Sequence, residues 1–155
     1  IVDNLVRRIL DAAGEADLWV IEEPAFTRSG GGAVERHALY WLLLRHLAKA
    51  ERRVAVVNPR LRGLYAAGKN GAPKSAVIDA VARRLPMFET AGNDNLCDAA
   101  VLCAMGCDWA GAPLAPMPAV HRAALKKVAW PDLAAEVTRL VEPSSPLARE
   151  GATHA

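Results

Sequence analysis

Two acidic groups carry the residue types that metal-assisted chemistry needs. Glu22 and Glu23 directly follow the apolar run Leu18–Ile21. A carboxylate at the end of a buried strand stands on rigid backbone and points into the crevice where α/β sheets bind ligands. The structural alternative is a strand end that simply reaches solvent. The second group is Asn93-Asp94-Asn95-Leu96-Cys97-Asp98, opening an apolar segment. Asp94 and Asp98 are four apart and Asn95 and Asp98 three apart, so all three share one helix face. Asn93 or Asp94 suits a helix N-cap. That role leaves Asp98 unexplained. An acid leading into Ala-Ala-Val-Leu-Cys-Ala is expected to face the interior, where a carboxylate needs a partner or a metal ion.

A third feature is Gly68-Lys69-Asn70-Gly71-Ala72-Pro73-Lys74-Ser75. It is superficially similar to a nucleotide-binding P-loop, but Pro73 stands where that motif needs Gly, and residues 60–67 do not read as a preceding strand. A Gly/Lys loop feeding a helix can instead hold backbone phosphate through amides and ammonium groups. The four histidines, His37, His46, His121 and His154, form no metal-ligand pairs, so structural roles are expected and no zinc site. The three cysteines, with Cys103 and Cys107 four apart on the apolar segment, read as core packing in a reducing compartment.

Charge is uneven along the chain. The formal net charge is +2, yet residues 45–84 hold ten Lys/Arg against Glu51 and Asp79, a local +8 that leaves −6 elsewhere. Arg60, Arg62, Lys69 and Lys74 belong to this window. A basic middle beside acidic segments suits a chain that holds a polyanion and keeps carboxylates for another task; a solvated Arg-rich surface is the plainer alternative. Aromatics are only 5%, which argues against a base-stacking surface.

These residues need elements to position them. The chain has 155 residues, 52% apolar, enough for one domain with a sizeable core and too apolar for disorder. No apolar run approaches the roughly 18 residues of a membrane span. The pattern reads helix, strand, helix, strand, helix, helix, helix. A first helix ends near Ala13 and Gly14, strands cover Leu18–Ile21 and Val54–Val57, and a Ser/Gly loop covers Thr27–Gly32. Helices are expected over Ala33–Ala50, Lys74–Leu85, Asn93–Asp108 and, as a short one, Pro118–Val128. Residues 60–73 read as irregular, and the tail after Glu142-Pro143 as mobile. Strands alternating with helices argue an α/β sheet flanked by helices. Two strands make a poor sheet, so either further strands lie upstream or the fold is mostly helical. The first is expected, since the first helix pattern, already under way at Ile1, lacks a start signal.

The string Val20-Ile21-Glu22-Glu23-Pro24 resembles the second catalytic strand of RuvC-type Holliday-junction resolvases, members of the RNase H-like nuclease fold. The Gly68–Lys74 loop resembles their glycine/lysine loop, and Asn95-Leu96-Cys97-Asp98-Ala99 their last catalytic helix, in the same order. Ala124-Leu125-Lys126-Lys127-Val128-Ala129-Trp130-Pro131 resembles tails of actinobacteriophage RuvC-like proteins.

The resemblance implies a RuvC-like nuclease domain over residues 1–131 and a C-terminal helix or mobile tail over 132–155. It makes Glu22 and Asp98 metal ligands and leaves Glu23 non-catalytic. The ligand three residues before Asp98 is commonly an acid; here it is Asn95, and Asp94, one residue earlier, is the candidate metal ligand that could serve in its stead. The family's first-strand aspartate would precede Ile1, and Asp3 lies on a helix pattern. The implied activity is Mg²⁺- or Mn²⁺-dependent cleavage of branched DNA, with two ions about 4 Å apart. Lys69, Lys74, Asn70, Arg60 and Arg62 would meet DNA. A four-way junction implies a homodimer, with the exposed face of the first helix as a candidate interface. A cytoplasmic location is expected, in the host cell for a bacteriophage product. The competing expectations are a non-catalytic branched-DNA-binding protein with a degraded metal site and, more remotely, a phosphate-loop nucleotide hydrolase.

Overall fold

The computed structural model describes residues 2–24 and 32–132. Most of the expected Ser/Gly loop and the tail beyond residue 132 lie outside them. Among the described residues the chain is mixed α/β: six α-helices, one 3₁₀ turn and a two-stranded parallel sheet. The elements are α1 Val2–Ala13, β1 Trp19–Glu22, α2 Ala33–Lys49, β2 Val54–Val57, α3 Pro59–Ala67, α4 Lys74–Arg84, α5 Asp94–Trp109, α6 Ala119–Arg122 and the 3₁₀ turn Leu125–Lys127.

β1 and β2 pair in register, from Trp19 opposite Val54 to Glu22 opposite Val57. Their side chains alternate between two cores, as strand periodicity requires. Trp19, Ile21 and Val54 join Val6 of α1 and Leu43 and Leu47 of α2 on one face. Val20, Ala55 and Val57 join α3, α4 and α5 on the other. The second core is the larger, with Tyr65, Val81, Val101 and Met105 at 2% exposure or less. Each such aliphatic side chain stabilises the fold by about 1.5–3 kcal/mol when fully buried.

Helix α5 is apolar around most of its girth, and the structure buries it accordingly: Cys97, Ala100, Val101, Ala104 and Met105 are all inside. It lies against β1 at Gly106. A Cβ there would stand 2.9 Å from Val20 Cγ2 and 3.3 Å from Leu18 Cδ2.

Four expectations are corrected. Residues 60–73 are not irregular throughout, because Pro59–Ala67 is helical. Asn58 caps that helix, its side chain accepting from the Arg60 amide at 3.0 Å, and Pro59 sits in the first turn, where a missing N–H costs nothing. The Asn-Pro pair thus starts a helix as well as ending a strand. The first strand runs one residue later than expected and includes Glu22. The stretch 118–128 is not one helix but α6 followed by the 3₁₀ turn. Finally, Cys103 is exposed; of the three thiols only Cys97 is buried.

Candidate functional site

The C-terminal ends of the two strands deliver the first residues. Glu22 lies on the β1 face that packs on α3 and α5, and Glu23, one residue on, turns the other way. The Glu23 amide donates to the Val57 carbonyl at 2.9 Å, and its carboxylate accepts from Asn58 Nδ2 at 3.3 Å. Asn58 therefore works twice, capping α3 through Oδ1 and holding Glu23 through its amide. The Glu23 charge is also near Tyr40; that phenol is raised above its ordinary value mainly by burial and secondly by Glu23.

One turn into α3, Arg62 reaches back between β1 and α5. Its Nε lies 2.5 Å from Glu22 Oε2, and its Nη1 is paired with Asp98 Oδ1. One guanidinium thus joins the strand carboxylate to the helix carboxylate. The Arg62 side chain is only 14% exposed, against 31% for Glu22 and 26% for Asp98. Glu22 Oε2 and Arg62 Nε are both fully buried. Burial raises the Glu22 carboxyl above its ordinary value, and Arg62 pulls the other way without overcoming it. Two carboxylates sharing one cation leave the group one negative charge in excess.

The remaining candidates take different places. Asn93 is the N-cap of α5, accepting from the Leu96 amide at 3.1 Å. Asp94 is the first helical residue and pairs with Lys74, the first residue of α4. That partner is the main reason the Asp94 carboxyl lies below its ordinary range. Asn95 is exposed. The Asp94–Lys74 pair stands one helical turn from Asp98 without joining Arg62. Lys69 and Asn70 are exposed in the α3–α4 connection, and Arg60 is exposed on α3. This connection folds back on α3 beside Arg62: a Cβ on Gly63 would lie 3.3 Å from the Ala72 amide nitrogen and 3.6 Å from the Lys69 carbonyl oxygen.

The expected nucleic-acid role of Arg62 meets a different placement, between carboxylates rather than out in solvent. The sequence pattern did not show this, because it depends on α3 being a helix. Asn58-Pro59, read as a start signal, would have put Arg62 one turn inside it.

A second polar group lies toward the other end of α5. Asp108, near the end of α5, has a side chain with no solvent exposure. It accepts from the Tyr65 hydroxyl at 3.0 Å and from Arg122 Nε at 3.1 Å, with Arg122 Nη2 at 2.9 Å from its other oxygen. Burial first and Asp108 second push the Tyr65 phenol up. His121 Nδ1 donates to the Tyr65 carbonyl at 2.7 Å, since a carbonyl only accepts. The imidazole lies over Gly68, whose φ of +74° and open Cα face are both required; a Cβ would fall 2.7 Å from His121 Nε2. These contacts clamp α6 to the end of α3, immediately before Lys69.

The two carboxylates offer hard oxygen donors, of the kind that Mg²⁺ and Mn²⁺ take. Among the described residues no group of three or more His, Cys, Asp or Glu side chains is close enough to share an ion. A pair of carboxylates still fits Mg²⁺, which is commonly held by one or two carboxylates with water and substrate phosphate completing the shell. The guanidinium lodged between Glu22 and Asp98 is itself a cation in that place. Among the described residues no helix is long and apolar enough to cross a membrane. No family model, curated protein or solved structure matches this chain.

Proposed function

We propose that this protein is a metal-dependent, structure-specific endodeoxyribonuclease that cuts branched DNA such as Holliday junctions, in recombination or phage genome processing. The observation that carries the reading is the convergence of Glu22, from a strand end, and Asp98, from a helix, on one cation (Arg62). It joins the two residues that the RuvC resemblance makes metal ligands. On this reading β1 and β2 are two strands of an RNase H-like, RuvC-type sheet.

Glu22 and Asp98 would hold Mg²⁺ or Mn²⁺. Bound there, the ion supplies Lewis-acid stabilisation of the phosphate and lowers the pKa of water. The chain's own residues do the positioning. Arg60, Lys69 and Asn70 present donors for backbone phosphate beside the pair, and Lys74 stands one turn away with Asp94 as its counter-ion. A homodimer acting in the host-cell cytoplasm, matching the two-fold symmetry of a four-way junction, belongs to the same proposal.

A non-catalytic branched-DNA-binding protein is the second reading. It is favoured by Asn95 in a position commonly acidic in that family, and by a guanidinium already serving both carboxylates. Cleavage of a labelled four-way junction in Mn²⁺, by wild type, Glu22→Gln and Asp98→Asn, separates the two. The nuclease reading expects cutting by wild type alone, with junction binding kept in all three. Binding without cutting in the wild type supports the second reading.

A further inference from the structure

We infer that Arg62 is a resident counter-ion that competes with divalent metal for the Glu22–Asp98 pair, so that metal enters only when the guanidinium leaves. The inference rests on the metal-dependent reading of this site and concerns how the site is loaded.

Three observations carry it. Arg62 touches both carboxylates at once, through Nε and Nη1, so it fills the position in which one ion would bridge them. Its side chain is 14% exposed, less than either partner, so it lies inside the site rather than over its mouth. Arg62 Nε and Glu22 Oε2 lie close together and both are cut off from water. A guanidinium is a rigid planar fork best used in parallel, bidentate pairing with a single carboxylate. Here the fork is split between two acids. That arrangement neutralises charge without giving the full strength of the fork, as a displaceable occupant requires.

The charges make the occupants alternatives. With Arg62 in place the triad carries −1; without it, the two carboxylates carry −2 and face one another, which is unfavourable unless another cation arrives. A divalent ion added beside the guanidinium would meet like charge at short range. Lys74 does not take over the role, because it is engaged by Asp94. The apparent metal affinity is then reduced by the fraction of molecules in which Arg62 is withdrawn. With a withdrawn state populated at roughly 1–10%, removing Arg62 raises metal affinity roughly ten- to a hundredfold.

The test is Mn²⁺ binding, measured by calorimetry and by the Mn²⁺ dependence of the melting temperature, without DNA. Wild type, Arg62→Met and Arg62→Lys are compared, together with Arg62→Met combined with Glu22→Gln. Arg62→Met is expected to melt lower than wild type without metal, to bind Mn²⁺ at least about tenfold more tightly, and to recover its lost stability as Mn²⁺ is added. Arg62→Lys, whose single ammonium cannot span both acids as the fork does, falls between, and keeps the test usable if the methionine variant folds poorly. The gain must vanish in the double variant. Equal Mn²⁺ affinity in wild type and both Arg62 variants overturns the inference, as does the absence of Mn²⁺ binding in all of them. Junction cleavage distinguishes this failure from failure of the nuclease reading. Tighter Mn²⁺ binding by Arg62→Met with no cleavage by wild type overturns the nuclease reading alone. Wild-type cleavage with unchanged metal affinity in the Arg62 variants overturns the inference alone.

Discussion

Gly106 of α5 and Val20 of β1 set the spacing between the helix that carries Asp98 and the strand that carries Glu22. A Cβ at position 106 would lie 2.9 Å from Val20 Cγ2, closer than packed carbon atoms come. Gly106→Ala gains about 1 kcal/mol of helix propensity but overpacks this contact, at a cost of about 1–3 kcal/mol. The valine methyl cannot move aside without a rotamer change, so net destabilisation is expected, read as a lower midpoint in urea. On the metal-dependent reading metal affinity falls as well, because α5 is pushed away from β1. A variant as stable as wild type would show that the spacing is set elsewhere.

The burial of Glu22 has a pH signature. Burial holds the Glu22 carboxyl above 4.5, against the opposing pull of Arg62. The folded protein therefore binds this proton more tightly than the unfolded chain does. Stability falls as pH rises from 4.5 through the raised value, and the residue is neutral in both states at lower pH. Glu22→Gln should melt higher than wild type at pH 7, with the gain shrinking toward zero below pH 4.5. Arg62 keeps Asp98 as its partner in that variant. Thermal melts of both proteins across pH 3.5–8 check it, and a variant less stable than wild type at pH 7 contradicts it. On the nuclease reading the same substitution abolishes cleavage, so stability and function would oppose each other at this residue.

Much of this geometry was legible before the structure. Strict alternation separates Glu22 from Glu23, and the two carboxylates do face different neighbours, Arg62 in one case and Asn58 in the other. The apolar runs located both strands to within a residue, because continuous Val/Ile/Leu runs are what a parallel sheet covered on both faces requires. Helix α3 was missed because Gly63, Gly68 and Pro59 look like loop punctuation. Tertiary burial of Leu64, Tyr65 and Ala66 overrides that local signal. The place of Arg62 was lost with it. The Tyr65–Asp108–Arg122 group was beyond reach for another reason: Tyr65 and Asp108 are 43 residues apart, and nothing in either neighbourhood signals the other.

That group should dominate the stability of the C-terminal part of the domain. Asp108 is fully buried on its side chain, and Arg122 supplies its counter-charge from a half-exposed position. Arg122→Met leaves a buried carboxylate held only by the Tyr65 hydroxyl. A loss of about 1.5–3 kcal/mol is expected, with the solvent on Arg122 favouring the lower end. Adding Asp108→Asn removes the stranded charge and should recover part of that loss. A denaturation double-mutant cycle measures the coupling. Additive effects of the two substitutions would mean that the pair contributes nothing as a pair.

The last prediction concerns Lys69 and Lys74, which the sequence treats alike and the structure does not. Both lie beside the candidate site in a basic window, and on the nuclease reading both face DNA backbone. Each phosphate neutralised on a duplex arm releases condensed counterion, giving a log-log salt slope of roughly −0.9 per contact. Lys69 is exposed, and among the described residues no side-chain carboxylate pairs with it. Lys69→Ala should therefore reduce the slope by about one and weaken binding equally across DNA sequences, since a phosphate contact carries no base information. Lys74 is already paired with Asp94, which must be released before the ammonium can serve a phosphate. Its substitution should change the slope by clearly less than one. Asp94→Asn should have the opposite effect, freeing Lys74 and tightening binding at low salt. The measurement is four-way-junction affinity from 50 to 300 mM salt for wild type and the three variants. A wild-type affinity indifferent to salt would remove DNA from this surface. Equal slopes lost by Lys69→Ala and Lys74→Ala would mean that the Asp94 pair dissolves on binding at no cost, and that Asp94 does nothing to hold Lys74 back.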